Sequence, residues 1–62
     1  MKLTLKGARI NAGYTQKQVA DKVNVHEVTV TNWELGHNKI PAVKLKELSY
    51  LYKLKMDDFL LP

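Results

Sequence analysis

Glu27, Val28, Thr31 and Asn32 bring a carboxylate, a branched apolar group, a hydroxyl and a carboxamide into one six-residue stretch. Each type matches a feature of a base-pair edge. A carboxamide such as that of Asn32 can pair bidentately with adenine, a carboxylate such as Glu27 can accept from the cytosine amino group, and Val28 can meet a thymine methyl. Close to phosphates a carboxylate such as Glu27 is costly unless it is used in this way. The Thr31 hydroxyl can donate or accept, so its type leaves its partner open. Covalent chemistry finds no footing. There is no nucleophile beside a base and no glycine-rich phosphate loop, and the absence of cysteine removes disulfides and thiolate zinc sites. His26 and His37 are too far apart to share a helical turn and lack acidic ligands nearby, so no metal and no cofactor is expected. Asp57 and Asp58 are adjacent, and neighbours on a helix diverge by roughly 100°, so they cannot face one substrate as paired acids. The chain reads as a binding protein and not as an enzyme.

Side chains that read an edge need a rigid carrier. At roughly 100° per residue, Val30 and Trp33 share one face of a helix over about 27–35, and Val28, Thr31 and Asn32 lie on the opposite side. Gly36 ends that helix. Ahead of it, Thr15-Gln16-Lys17-Gln18 is a capping box, with Tyr14 and Val19 available as the accompanying hydrophobic staple. The helix it starts, over about 15–23, carries Val19, Ala20 and Val23 on one face, and Asn24 after it suits a left-handed turn. Leu5, Arg9 and Ala12 repeat at helical spacing before the terminator Gly13. Gly7 weakens that first helix by up to about 1 kcal/mol relative to alanine, so its opening turn is expected to fray. Pro41 suits the first position of a further helix, along which Leu45, Leu48 and Tyr52 continue an apolar stripe beside Leu51. Leu54, Phe59 and Leu60 are expected as core contacts of a last short turn, with Asp57 and Asp58 near its positive end. Nothing reads as a strand. The sequence predicts an all-α fold, a compact bundle of about five short helices.

The 62 residues allow one domain over 1–62 with a thin margin of stability. Ten Lys and Arg against six Asp and Glu give a net charge of +4. That excess is the footprint expected of a nucleic-acid binder, although many small domains are basic for solubility alone. The N-terminal residues lack the apolar run of a signal peptide, and no stretch approaches the roughly 18 apolar residues of a membrane span. A soluble, cytoplasmic protein without membrane contact is expected.

The stretch from Thr15 to Gly36 resembles the helix-turn-helix of the phage repressor and Cro-like (Xre-type) regulators. Thr15-Gln16, Val19-Ala20, Asn24-Val25, Val30, Trp33-Glu34 and Gly36 carry the likeness, which continues through Pro41, Leu51-Tyr52-Lys53-Leu54 and Asp57-Asp58-Phe59. The resemblance implies a lambda-repressor-like DNA-binding domain whose third helix enters a major groove. Glu27, Val28, Thr31 and Asn32 would then contact bases, and Gln16 would contact backbone or an outer base. Thr15, Asn38 and Lys39 would hold phosphates. The resemblance also implies a partly buried ion pair between Arg9 and Glu34. His26 departs from the pattern, since the family more often has serine or threonine as the cap of that helix.

The leading expectation is a transcriptional regulator binding a palindromic double-stranded DNA operator as a dimer, in a bacterial cell and with a phage or prophage origin open. With so short a chain, no separate effector or oligomerisation domain is expected. Self-association is therefore expected to be weak off DNA, strengthened on it, and to use the loop from Leu35 to Ile40 and the C-terminal residues. No small-molecule ligand is evident. A Cro-like switch, an excisionase-locus repressor, an antitoxin and a restriction controller stay open within this class. A different class, a helical protein-interaction module using Val28 and Leu35, stays open beside it.

Overall fold

The computed structural model describes residues 2–62. A short strand, β1 (Leu3–Thr4), runs directly into α1 (Leu5–Asn11). Three more helices follow: α2 (Gln16–Val23), α3 (Glu27–Leu35) and α4 (Ala42–Tyr52). A 3-10 turn over Met56–Asp58 leads into β2 (Phe59–Leu60), which pairs in parallel with β1 through Leu3 opposite Phe59 and Thr4 opposite Leu60. The fold is helical as expected, with four α-helices and one 3-10 turn where about five helices were anticipated. The strand pair corrects the reading that no strand exists. Two residues a side carry no periodicity, and their pairing depends on bringing distant parts of the chain together.

Local signals account for most helix ends. The Thr15 hydroxyl accepts from the Gln18 amide at 3.1 Å while the Gln18 side chain accepts from the Thr15 amide at 2.8 Å. The capping box is therefore formed at both bonds. Asn24 closes α2 at φ 59°, and Gly36 closes α3 at φ 79°. At Gly36 a side chain would also collide with Pro62, whose Cβ lies 2.8 Å from where a Cβ would be built. Thr4 caps α1, its hydroxyl accepting from the Gly7 amide at 3.0 Å. That bond, the β1–β2 pairing and the burial of Leu5 hold the opening turn that Gly7 alone would loosen. Pro41 stands at the N-cap of α4, one residue earlier than expected.

The core gathers around Trp33, which packs with Leu5, Val19, Val30, Leu48 and Phe59 in one buried cluster. Ala20 is buried with them, and its lack of side-chain bulk lets α2 and α3 cross closely. Val25, Leu45, Leu51 and Leu54 are half-buried against this cluster. Leu60 was expected in the core, but it is exposed. Successive residues of a strand point to opposite faces, so burying Phe59 turns Leu60 outward.

Candidate nucleic-acid interface

Burying Val30 and Trp33 leaves the other side of α3 on the surface. Trp33 is 4% exposed and Val28 is 62% exposed. Glu27 is exposed beside Val28, and Thr31 and Asn32 are half-exposed. These four side chains thus share one outward surface of a nine-residue helix. Lys39 and Asn38 lie exposed in the loop after α3, and Thr15 lies exposed at the start of α2. The Thr15 hydroxyl uses a lone pair on Gln18 and keeps its proton for another acceptor. Asn38 and Lys39 also line a shallow groove with Ile40, Leu61 and Pro62.

Arg9 and Glu34 meet at the other margin of α3. The Arg9 Nε donates to Glu34 Oε2 at 2.7 Å and Nη2 donates to Oε1 at 3.3 Å, a two-pronged contact. Their side chains are only 11% and 5% exposed. Arg9 Nη1 additionally donates to the Tyr14 carbonyl at 3.0 Å, tying α1 to the entry of α2.

Gln16 belongs to the same arrangement, a link that residue spacing did not reveal. Its Nε2 donates to Glu34 Oε1 at 3.0 Å, and its Oε1 accepts from the Thr31 hydroxyl at 2.8 Å. Thr31 Oγ also stands 3.3 Å from the Glu27 carbonyl, one turn back. Glu27, Thr31 and Glu34 fall at i, i+4 and i+7, so they form the row of α3 nearest α2. Only that helical spacing could have hinted at the network.

His26 occupies the N-cap of α3 and makes no side-chain cap bond. At the opposite end of α2, Lys44 Nζ donates to the Val23 carbonyl at 2.7 Å. A cation there satisfies an orphan carbonyl and meets the negative end of the helix dipole. Tyr52 lies beneath the ion pair, its ring centroid 6.5 Å from that of Tyr14 and 6.3 Å from that of Phe59. Burial pushes the Tyr52 phenol well above its ordinary value, the Glu34 carboxylate adds to the rise, and Arg9 opposes it. Among the described residues, no three His, Asp or Glu side chains gather as a metal site, and no helix is long and apolar enough to cross a membrane.

Two short helices joined by a tight left-handed turn, the second pinned by its inner face and bare on its outer one, define a helix-turn-helix module. Comparison with known proteins agrees. The helix-turn-helix family model matches residues 5–59, and the chain belongs to that family, of the Xre-like kind. A curated relative, the HTH-type transcriptional regulator ImmR of Bacillus subtilis (strain 168), is 40% identical over 53 residues. That match covers 86% of this chain and 42% of the relative, so the chain spans less than half of the relative's length. No solved structure matches the chain significantly.

Proposed function

We propose that this chain is a sequence-specific regulator of transcription that binds double-stranded DNA by laying α3 in the major groove. The observation that carries the reading is the division of α3 itself. Val30 and Trp33 are buried, while Glu27, Val28, Thr31 and Asn32 face outward with groups suited to base edges. The relative named as a transcriptional regulator supports the regulatory half of the reading.

The finer reading is a dimer on a palindromic operator, with Thr15, Asn38 and Lys39 on phosphates and Gln16 beside them. Exposed Leu35 and Leu61, near the groove of Ile40 and Pro62, are suited to a second copy, weakly off DNA and more firmly when two half-sites hold both copies. The roles left open by the sequence, including Cro-like switch, antitoxin and controller, share this mode of binding.

Selection of bound duplexes from a random pool, followed by titration of the enriched and scrambled duplexes at several salt concentrations, tests the proposal. The expected result is an enriched, two-fold symmetric site, preferred over the scrambled duplex and weakened steeply by salt through counterion release. No enrichment, with binding that ignores salt, would overturn it and favour the protein-interaction module.

A further inference from the structure

Thr31 could donate or accept when only its residue type was known. The hydrogen-bond network removes that freedom, because it starts from a group with one possible polarity. Glu34 is paired with Arg9 and is therefore a carboxylate, which only accepts. The atom of Gln16 facing it at 3.0 Å must then be the amide nitrogen, since two oxygens there would repel. With the nitrogen turned toward Glu34, the Gln16 carbonyl oxygen points to Thr31 at 2.8 Å, and a carbonyl can only accept. Thr31 must donate. The alternative acceptor, the Glu27 carbonyl at 3.3 Å, demands the same of it. A hydroxyl has a single proton, so both inward options consume it. What remains outward is a lone pair.

From this geometry we infer that Thr31 is a specificity-determining residue acting solely as a hydrogen-bond acceptor, aimed at the exocyclic amino group of adenine or cytosine. The inference rests on the DNA-binding reading above and deepens it. In the major groove the adenine N6 and cytosine N4 amino groups are the donors, whereas guanine N7 and O6 and thymine O4 only accept. A free threonine could adapt to either set. Thr31, held by Gln16 and through it by Glu34, discriminates between them. Glu34 and Arg9 touch no base in this account. They act as positioning residues that set the direction of each bond from a distance.

The experiment uses the intact chain and the duplex enriched by selection. Thr31→Val keeps the branched shape and removes the hydroxyl, and Thr31→Ser keeps the hydroxyl. Comparing the sites selected by wild type and by T31V identifies the base pair that depends on Thr31. At that pair, duplexes carry either a base lacking its exocyclic amino group (purine for adenine, 2-pyrimidinone for cytosine) or one whose acceptor is removed or weakened (7-deazapurine, 4-thiothymine). Deleting the amino group is expected to weaken wild type and T31S by roughly 3–10-fold, the scale of one hydrogen bond, and to leave T31V unchanged. Deleting the acceptor should leave all three alike. If instead the acceptor deletion weakens wild type and spares T31V, Thr31 donates and the inference is wrong. It is equally wrong if the chain selects a site but no base pair in it depends on Thr31, and in both cases the DNA-binding reading survives. If wild type selects no site at all, that reading falls and the inference with it.

Discussion

On the flank of α3 that faces α2, Thr31 is tied through Gln16 to Glu34, and Glu34 directly to Arg9, by hydrogen bonds of 2.7–3.3 Å. On the other flank, and in the loop beyond it, no side-chain hydrogen bond among the described residues holds Asn32, Asn38 or Lys39. One flank is wired into the core. The other is positioned by its backbone alone, with Gly36 and the bond from the His37 amide to the Asn32 carbonyl at 2.9 Å setting the exit of the helix. The contrast separates two ways of building a binding surface. A wired group arrives with its polarity decided, and its loss is felt in stability as well as in what it binds. An unwired group can adapt to its partner, and its loss is felt in affinity.

The largest effects belong to the structure that supports both flanks. Trp33→Ala removes a buried ring from a small core, which costs about 3–5 kcal/mol and should leave this domain largely unfolded at room temperature. Circular dichroism on heating checks this. A cooperative, near-native melt would mean that Trp33 does not anchor α3. On the wired flank, Arg9→Met or Glu34→Leu alone leaves a buried charge without its partner, for a loss on the order of 3–5 kcal/mol. Making both changes together should restore much of that stability. Small, additive single effects in urea denaturation would show that the two flanks are not so different after all.

Beneath the same flank, Tyr52 stays protonated in the fold above the pH at which the unfolded chain ionises, near about 10. Its contribution is therefore complete below that pH and is lost as pH rises toward the raised folded value. The slope is at most about 1.4 kcal/mol per pH unit. Urea melts between pH 9 and 11 should show a steeper alkaline loss for wild type than for Tyr52→Phe, the difference cancelling lysine titration common to both. Equal slopes would remove Tyr52 from the account. The smallest effect concerns the start of α3. His26 makes no cap bond, so His26→Ser should add one and stabilise the protein by about 1 kcal/mol. An unchanged melting temperature would show that tertiary packing alone already fixes that end.

The same division explains what could be read from the sequence. Thr15 with Gln18, Asn24 and Gly36 mark helix ends by local chemistry, and Val30 with Trp33 mark the inner face by periodicity. Both signals survive in a single short window. The Gln16–Thr31 bond, the Lys44 bond to Val23 and the pairing of β1 with β2 join segments far apart in the chain. Nothing in a local pattern announces them. Lys53 closes α4 at φ 57°, a position where glycine or asparagine would have been the readable sign. Thr31 shows the consequence most directly: its place on the outer face was legible, and the direction of its hydrogen bond was not.

The central claim is that the unwired flank meets DNA, with Asn32 reading bases and Lys39 holding phosphate, and paired variants test it most directly. Asn32→Ala and Lys39→Ala are titrated against the selected duplex, its single-base variants and a scrambled duplex at several salt concentrations, after melts verify unchanged stability. Asn32→Ala should lose discrimination at one base pair per half-site and keep the salt dependence of wild type. Lys39→Ala should keep the base preference and lower the slope of log K against log salt by about 0.9 per monomer. Equal weakening of every duplex by Asn32→Ala, or a changed base preference in Lys39→Ala, would contradict the assignment.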